Sequence, residues 1–141
     1  DNLNIQYHFE ENPALFAATK VSENKVVGWF QGKMEVGPRA LGNRSILANA
    51  ANPSMRDIVN QKIKFRDTFR PFCPSVLEEE SKNYFIGKQD IAPYMTINYD
   101  VKPSIIDKIP SVVHVDDTAR IQTVNKNQNE LYYNMCLCFR N

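Results

Sequence analysis

The sequence predicts a single domain of the α/β or α+β class over residues 1–141, on three observations. Its 141 residues, 43% of them apolar, suit one domain with a core of its own. Segments of helical and of strand character alternate irregularly, with no internal repeat and no low-complexity linker. Basic clusters fall at the ends of these segments, where open α/β sheets collect their ligands.

Residues 12–22 carry Leu15, Phe16, Ala18 and Val21 at helical spacing, with Pro13 near the start, a position that tolerates its missing N–H. Residues 26–31 read as a buried strand and residues 44–48 as a second short one. Asn52-Pro53-Ser54 signals a helix start, and residues 55–65 follow as an amphipathic helix with Ile58, Val59 and Ile63 as its apolar stripe. Pro71 and Pro74 force an extended exit. Residues 75–77 continue as a strand and residues 78–85 as a short helix. Residues 92–99 alternate in part and predict a strand, and residues 102–111 form a proline-bounded connection. Residues 112–116 and 119–124 predict strands flanking an Asp-Asp-Thr turn, and residues 125–129 a polar loop. Residues 131–139 fit a helix, and their apolar run fits a buried strand as well.

Charge narrows the function classes. Seventeen Lys and Arg stand against sixteen Asp and Glu, so net charge gives no support to a nucleic-acid platform and any anion site must be local. No segment resembles a membrane span or a signal peptide, and Cys73, Cys136 and Cys138 form no CxxC pair. Reduced thiols and a cytoplasmic location are expected. His8 and His114 do not supply the further ligands that a zinc site needs.

The chemistry concentrates in residues 32–46, which hold three of the five glycines together with Lys33, Arg39 and Arg44. Glycine lets backbone approach a ligand closely, and the guanidinium fork matches carboxylate and phosphate oxygens. A strand, a tight turn and arginines together indicate an oxyanion site, against the alternative of a surface turn with solvated charges. Lys64, Arg66 and Arg70 make a second basic cluster and Arg120 a third; if they converge they could hold a polyphosphate. Ser45 and Ser75 have no histidine at a telling spacing. His114 and Asp116 would share one strand face as base and orienter, or His114 simply hydrogen-bonds in a partly buried strand. Asp116-Asp117 could bind Mg²⁺ or merely form a turn. Glu35 beside Arg39 suggests a loop-ordering salt bridge, and Trp29, Phe30 and Met34 are assigned to the core. A chain rich in cations and poor in proton-transfer groups suits phosphoryl or acyl-phosphate chemistry.

Residues 28–48, Gly-Trp-Phe-Gln-Gly-Lys-Met-Glu-Val-Gly-Pro-Arg-Ala-Leu-Gly-Asn-Arg-Ser-Ile-Leu-Ala, closely resemble the signature of the NodU/CmcH family of O-carbamoyltransferases. Later blocks match in order: residues 60–66, residues 69–76, and residues 110–116 leading to 119–124. The resemblance implies a two-part enzyme. Its N-terminal portion is ASKHA-like and carries a metal site and the acceptor site. Its C-terminal portion is YrdC-like, with a twisted open sheet flanked by helices, and forms carbamoyl adenylate from carbamoyl phosphate and ATP for transfer to a hydroxyl acceptor. This chain resembles most of the C-terminal portion.

By the same resemblance, Arg39 contacts the carbamoyl group or carbamoyl phosphate. Lys64 and Arg70 hold phosphate oxygens, and Arg120 joins them. Gly37, Pro38, Arg44, Ser45, Arg66 and His114 complete the substrate and ATP site. Mg²⁺ arrives with ATP, and no metal site is expected in this chain. The expected partners are the two substrates and the missing N-terminal portion, with neither nucleic acid nor membrane. Family members continue into a segment resembling Asn-Thr-Ser-Phe-Asn, whereas this chain stops at Asn141. A truncated domain is therefore expected, inactive or weakly active alone. The alternative is a nucleotide- or phosphate-binding module without turnover. A third possibility, RNA binding with threonylcarbamoyl adenylate synthesis, is disfavoured by the near-neutral charge and by the Gly-Pro-Arg-Ala-Leu-Gly block.

Overall fold

The computed structural model describes residues 4–141. Helix α1 (Pro13–Ser22) begins where predicted, with Asn12 Oδ1 accepting from Leu15 N at 3.1 Å as its cap. Its buried face is Ala14, Ala17, Ala18 and Val21, whereas Leu15 and Phe16 lie half exposed. The small residues let the helix approach α5 (Glu130–Arg140) closely, and these two helices share more contact than any other pair of elements. That settles residues 131–139 as helical, capped by Asn129 Oδ1 accepting from Tyr132 N.

Strand β1 (Val27–Phe30) pairs antiparallel with β2 (Arg44–Leu47) in the register Val27↔Leu47 and Phe30↔Arg44. One face of this ladder carries Trp29 and Leu47 into a core with α1 and α5. The other face is open, so Phe30 is 77% exposed instead of buried. Met34, in the loop beyond, is 68% exposed and likewise no part of the core.

Helix α2 (Met55–Val59) runs into a π-helical turn over Asn60–Lys64, which stops at Phe65 with φ +48°. Of the expected stripe, Val59 is buried and Ile63 is 39% exposed; Met55 takes the other inward place. The π turn follows from Asn60, fully buried in the middle of the element. Its Nδ2 donates to Thr68 O and Arg70 O, and its Oδ1 accepts from Arg66 Nε at 2.7 Å.

Strand β3 (Ser75–Leu77) leads through a 3₁₀ turn (Glu78–Glu80) and a one-turn helix α3 (Ser81–Tyr84) to β4 (Phe85–Ile86). The strand expected at residues 92–99 is instead a loop that becomes strand only at its end, in β5 (Tyr99–Val101). Ala92 and Met95 are buried there without a ladder, because Met95 has φ +53° and Ala92 bonds Thr123 through N–H and C=O. The connection after β5 contains α4 (Pro103–Ile106).

Residues 112–116 are not a strand. His114 N donates to Thr118 O and Asp117 N to His114 O, closing a turn in which Asp117 has φ +59°. The strand expected over residues 119–124 breaks at Arg120 into β6 (Thr118–Ala119) and β7 (Gln122–Val124), which join different sheets. β3 and β7 pair in parallel, and β4-β5-β6 form an antiparallel trio. The fold is thus mixed α/β with three small open sheets and, among the described residues, no closed barrel. A second core of Phe85, Tyr99, Val101, Ile105, Ala119 and Ile121 lies beneath the trio.

Candidate functional site

The loop over residues 31–43 has no regular secondary structure and is held by side chains. Glu35 Oε1 accepts from Leu41 N at 2.7 Å and from Asn43 N at 2.8 Å, filling the concavity that these amides form. Partial burial pushes its pKa up, but the backbone N–H groups prevail and hold it below the ordinary glutamate value. The expected Glu35–Arg39 salt bridge is not formed: the carboxylate serves the backbone instead. Gly42 has φ +105°, and a Cβ there would meet the Tyr132 ring at 2.4 Å, so both conformation and space demand glycine.

Three further ties fix the loop to the body of the domain. Gly42 O accepts from Trp29 Nε1 and Gln31 Nε2. Asn129 accepts from Gln31 Nε2 and donates to Asn43 Oδ1 at 2.9 Å. Gln122 Nε2 donates to Leu41 O at 2.9 Å, and Ser75 Oγ, which accepts from the Tyr132 hydroxyl, donates to Gln122 Oε1. Burial of Tyr132 raises its pKa far out of reach, so that hydroxyl stays neutral.

Within this frame Arg39 is half-buried and makes no hydrogen bond or ion pair with a described residue, and Lys33 is exposed. Gly37 (φ +149°) and Pro38 shape the turn that precedes Arg39. Arg44 is engaged already: its Nη1 donates to Gln31 O and Asn43 O, its Nη2 to Gly32 O, and it stacks 3.4 Å from the Phe30 ring centroid. Ser45 Oγ accepts from Gly42 N. Both therefore build the loop.

In the second cluster, Lys64 is exposed at the end of the π turn. Arg66 is tied to Asn60 and lies 4.9 Å from the Phe72 ring centroid. Arg70 pairs with Asp67 at 3.5 Å, with both side chains open to solvent. Arg120 sits in the break between β6 and β7, its Nε donating to Cys73 Sγ at 3.4 Å. The start of β7 brings the three segments together. Gln122 bonds Leu41 of the Arg39 loop and, through its N–H, Pro74 O of the stretch that follows Arg70, while Arg120 lies two residues upstream.

His114 and Asp116 meet through a third residue. The Thr118 hydroxyl donates to Asp116 Oδ1 at 2.7 Å and lies 3.0 Å from His114 Nδ1. That donation leaves the hydroxyl oxygen as acceptor for an Nδ1–H, which fixes the tautomer. Burial lowers the pKa of His114, with the Asp116 charge opposing and the Arg120 charge reinforcing, so the ring is neutral at pH 7. Its Nε2 is buried without a partner among the described residues. Hydrogen bonds from Thr118 hold Asp116 below the usual carboxylate range.

The three cysteines are free, and burial pushes the Cys136 thiol up to about 12, which makes it unreactive. Among the described residues no three His, Cys, Asp or Glu side chains gather to hold a metal ion, and no helix is long and apolar enough to cross a membrane. A cavity of about 480 Å³, walled mainly by apolar residues, adjoins these segments: Phe72 and Cys73, which touch Arg66 and Arg120, lie on its wall, but none of Arg39, Lys64, Arg70 and Arg120 lines it. Sequence reasoning missed the residues that hold these segments in place: Gln31, Gln122 and Asn129 for the Arg39 loop and Asn60 for residues 66–70. For Gln122 the available signal was a glutamine between the apolar Ile121 and Val124 in a segment read as a strand.

Comparison with known proteins gives a consistent picture. A family model described as "Carbamoyltransferase C-terminus" matches residues 18–141. The chain is 43% identical over 140 residues to an uncharacterised protein of Methanocaldococcus jannaschii, covering 99% of this chain and 23% of that protein. It is 42% identical to nodulation protein NolNO of Sinorhizobium fredii, covering 92% of this chain and 19% of that protein. It is 46% identical to nodulation protein U of Rhizobium tropici, covering 79% and 19%. The chain thus spans about a fifth of the curated relatives it matches.

Proposed function

Because this chain belongs to the carbamoyltransferase C-terminus family, we propose that its Arg39 loop and the neighbouring basic segments bind carbamoyl phosphate and ATP and form carbamoyl adenylate. The observation that carries this proposal is Arg39 itself. It is a half-buried arginine with no hydrogen-bond or ion-pair partner among the described residues, on a loop held by Glu35, Gln122 and Asn129. An unpaired, pre-positioned arginine is suited to a carboxylate-like or phosphate oxygen.

Atoms balance if water releases inorganic phosphate from carbamoyl phosphate, leaving carbamate. The carbamate oxygen then attacks the α-phosphorus of ATP and pyrophosphate departs. Both substrates are anions, so their approach needs cations more than proton carriers. Arg39 takes the carbamoyl end, Lys64 and Arg70 the phosphate oxygens, and Arg120 joins them from the break between β6 and β7. Gly37 and Pro38 bring the turn within reach of the ligand, with Arg44, Ser45 and Arg66 holding the surrounding backbone. His114, neutral at pH 7, adds no charge of its own beside Arg120. Mg²⁺ enters with ATP, whose phosphates supply its oxygen ligands. Transfer to a hydroxyl acceptor belongs to the remainder of the polypeptide.

Calorimetry of carbamoyl phosphate and ATP, separately and together, on this chain and on Arg39→Ala tests the proposal. Loss of one charge-assisted contact weakens carbamoyl phosphate binding by roughly tenfold to a hundredfold. Equal affinity of the two proteins would remove Arg39 from the site. Pyrophosphate release then separates an adenylating domain from a module that binds without turnover.

A further inference from the structure

The 480 Å³ cavity is set apart from the basic loop by how its walls are built. Ile46 and Leu47 at the end of β2 and all of β3, Ser75, Val76 and Leu77, border it without a gap, and the loops next to them, residues 48–51 and 72–74, continue the wall. A strand that turns one face to a cavity contributes every second residue, because successive side chains alternate sides. An unbroken run places the strand's edge, backbone included, against the space. Among the described residues β2 and β3 each have a single ladder partner: β2 pairs with β1 and β3 with β7. Each therefore leaves a row of backbone N–H and C=O groups outside any ladder. Met55 and Val59 of α2 and Met135 and Phe139 of α5 add apolar walls. Arg56, also on the wall, keeps a buried Nε–H with no hydrogen-bond partner among the described residues. Asp57, at 3.8 Å, is too distant to accept from it.

We propose that a further β-strand, supplied by the part of the polypeptide outside these 141 residues, inserts between β2 and β3. It joins the two two-stranded ladders into one sheet in the order β1-β2-insert-β3-β7. The insert is an extended segment of at least the three residues of β3, with apolar side chains toward α2 and α5 and a carbonyl oxygen for Arg56. Paired edges and apolar walls are what a central strand needs and a small polar substrate does not. Its source follows from length: the matched relatives hold several times this much polypeptide, of which this chain spans 19–23%. The inference stands whether or not the basic loop binds carbamoyl phosphate.

Amide hydrogen exchange on this chain and on the full-length polypeptide that contains it tests the insertion. The amides of Arg44–Leu47 and Ser75–Leu77 are expected to exchange at least about tenfold more slowly in the longer protein, with α1 amides unchanged. Equal exchange at both edges in the two proteins would overturn the proposal. So would edges already protected in a monomer of this chain. That outcome would assign the gap to residues 5–9, whose Ile5, Tyr7 and Phe9 alternate along the chain and are all exposed. Edge protection that rises with concentration, together with a dimer by light scattering, would assign it to a second copy and overturn the proposal equally.

Discussion

Glu35 gives up the role a loop carboxylate beside arginines ordinarily has. By accepting from Leu41 N and Asn43 N it fills a backbone concavity of the kind that binds anions, so the anion binding proposed for this loop rests on the Arg39 side chain. The pKa shift makes this arrangement testable. The folded-state pKa lies below the ordinary glutamate value. The stability it contributes is therefore complete above the unfolded value and lost as pH falls through the lower folded one. Urea unfolding between about pH 5 and pH 3 should show wild type losing stability faster than Glu35→Gln, which keeps an acceptor oxygen but does not titrate. Parallel profiles would mean that the charge contributes nothing to the loop. At this scale the cations were visible in the sequence but their uses were not: Arg44 and Arg66 bond the surrounding structure, whereas Arg39 bonds no described residue. The acceptors were not visible. Gln122 and Asn129 look like ordinary polar residues until the fold carries them to Leu41 and Asn43.

At the scale of elements, α1 shows how a helix can be placed correctly and oriented only in part. Helical spacing selected Leu15, Phe16, Ala18 and Val21; Ala18 and Val21 are buried, but Ala14 and Ala17 take the places of Leu15 and Phe16, because two helices in close contact exclude larger side chains. Ala17→Leu should overpack that contact and lower stability by about 1–3 kcal/mol in urea melts, with Leu15→Ala, on the half-exposed face, costing less. Equal effects would contradict the packing. Elements with a continuous periodicity (α1, β1, β2, β3 and α5) were legible. Residues 92–99 and 112–116 were not, since they bury Ala92, Met95, Val112 and Val113 through turns and loops. Apolar content marks burial in both cases and cannot separate a ladder from a folded loop. The positive φ of Met95 and of Asp117 is the local fact that decides it.

At the scale of the molecule, a net charge of +1 coexists with a proposed site rich in cations, because sixteen acidic residues, Glu35 and Asp67 among them, nearly balance the seventeen Lys and Arg. Ligand capture should accordingly be local and stabilising. Carbamoyl phosphate at about a hundred times its dissociation constant should stabilise the wild type by about 2.7 kcal/mol, read as a raised melting temperature, and Arg39→Ala should lose most of that shift at the same concentration. An identical shift in both would place the ligand elsewhere on the molecule.

The bonds that hold the anion loop also set when it can exist. Its ties reach residues 81, 86 and 98 positions away in the sequence. Closing such long intervals is slow compared with forming α1 or the β1–β2 ladder. During synthesis the loop emerges early and stays without its clamps until residues 122–132 have followed it. The anion affinity proposed for the loop would thus be a late property of the folding chain.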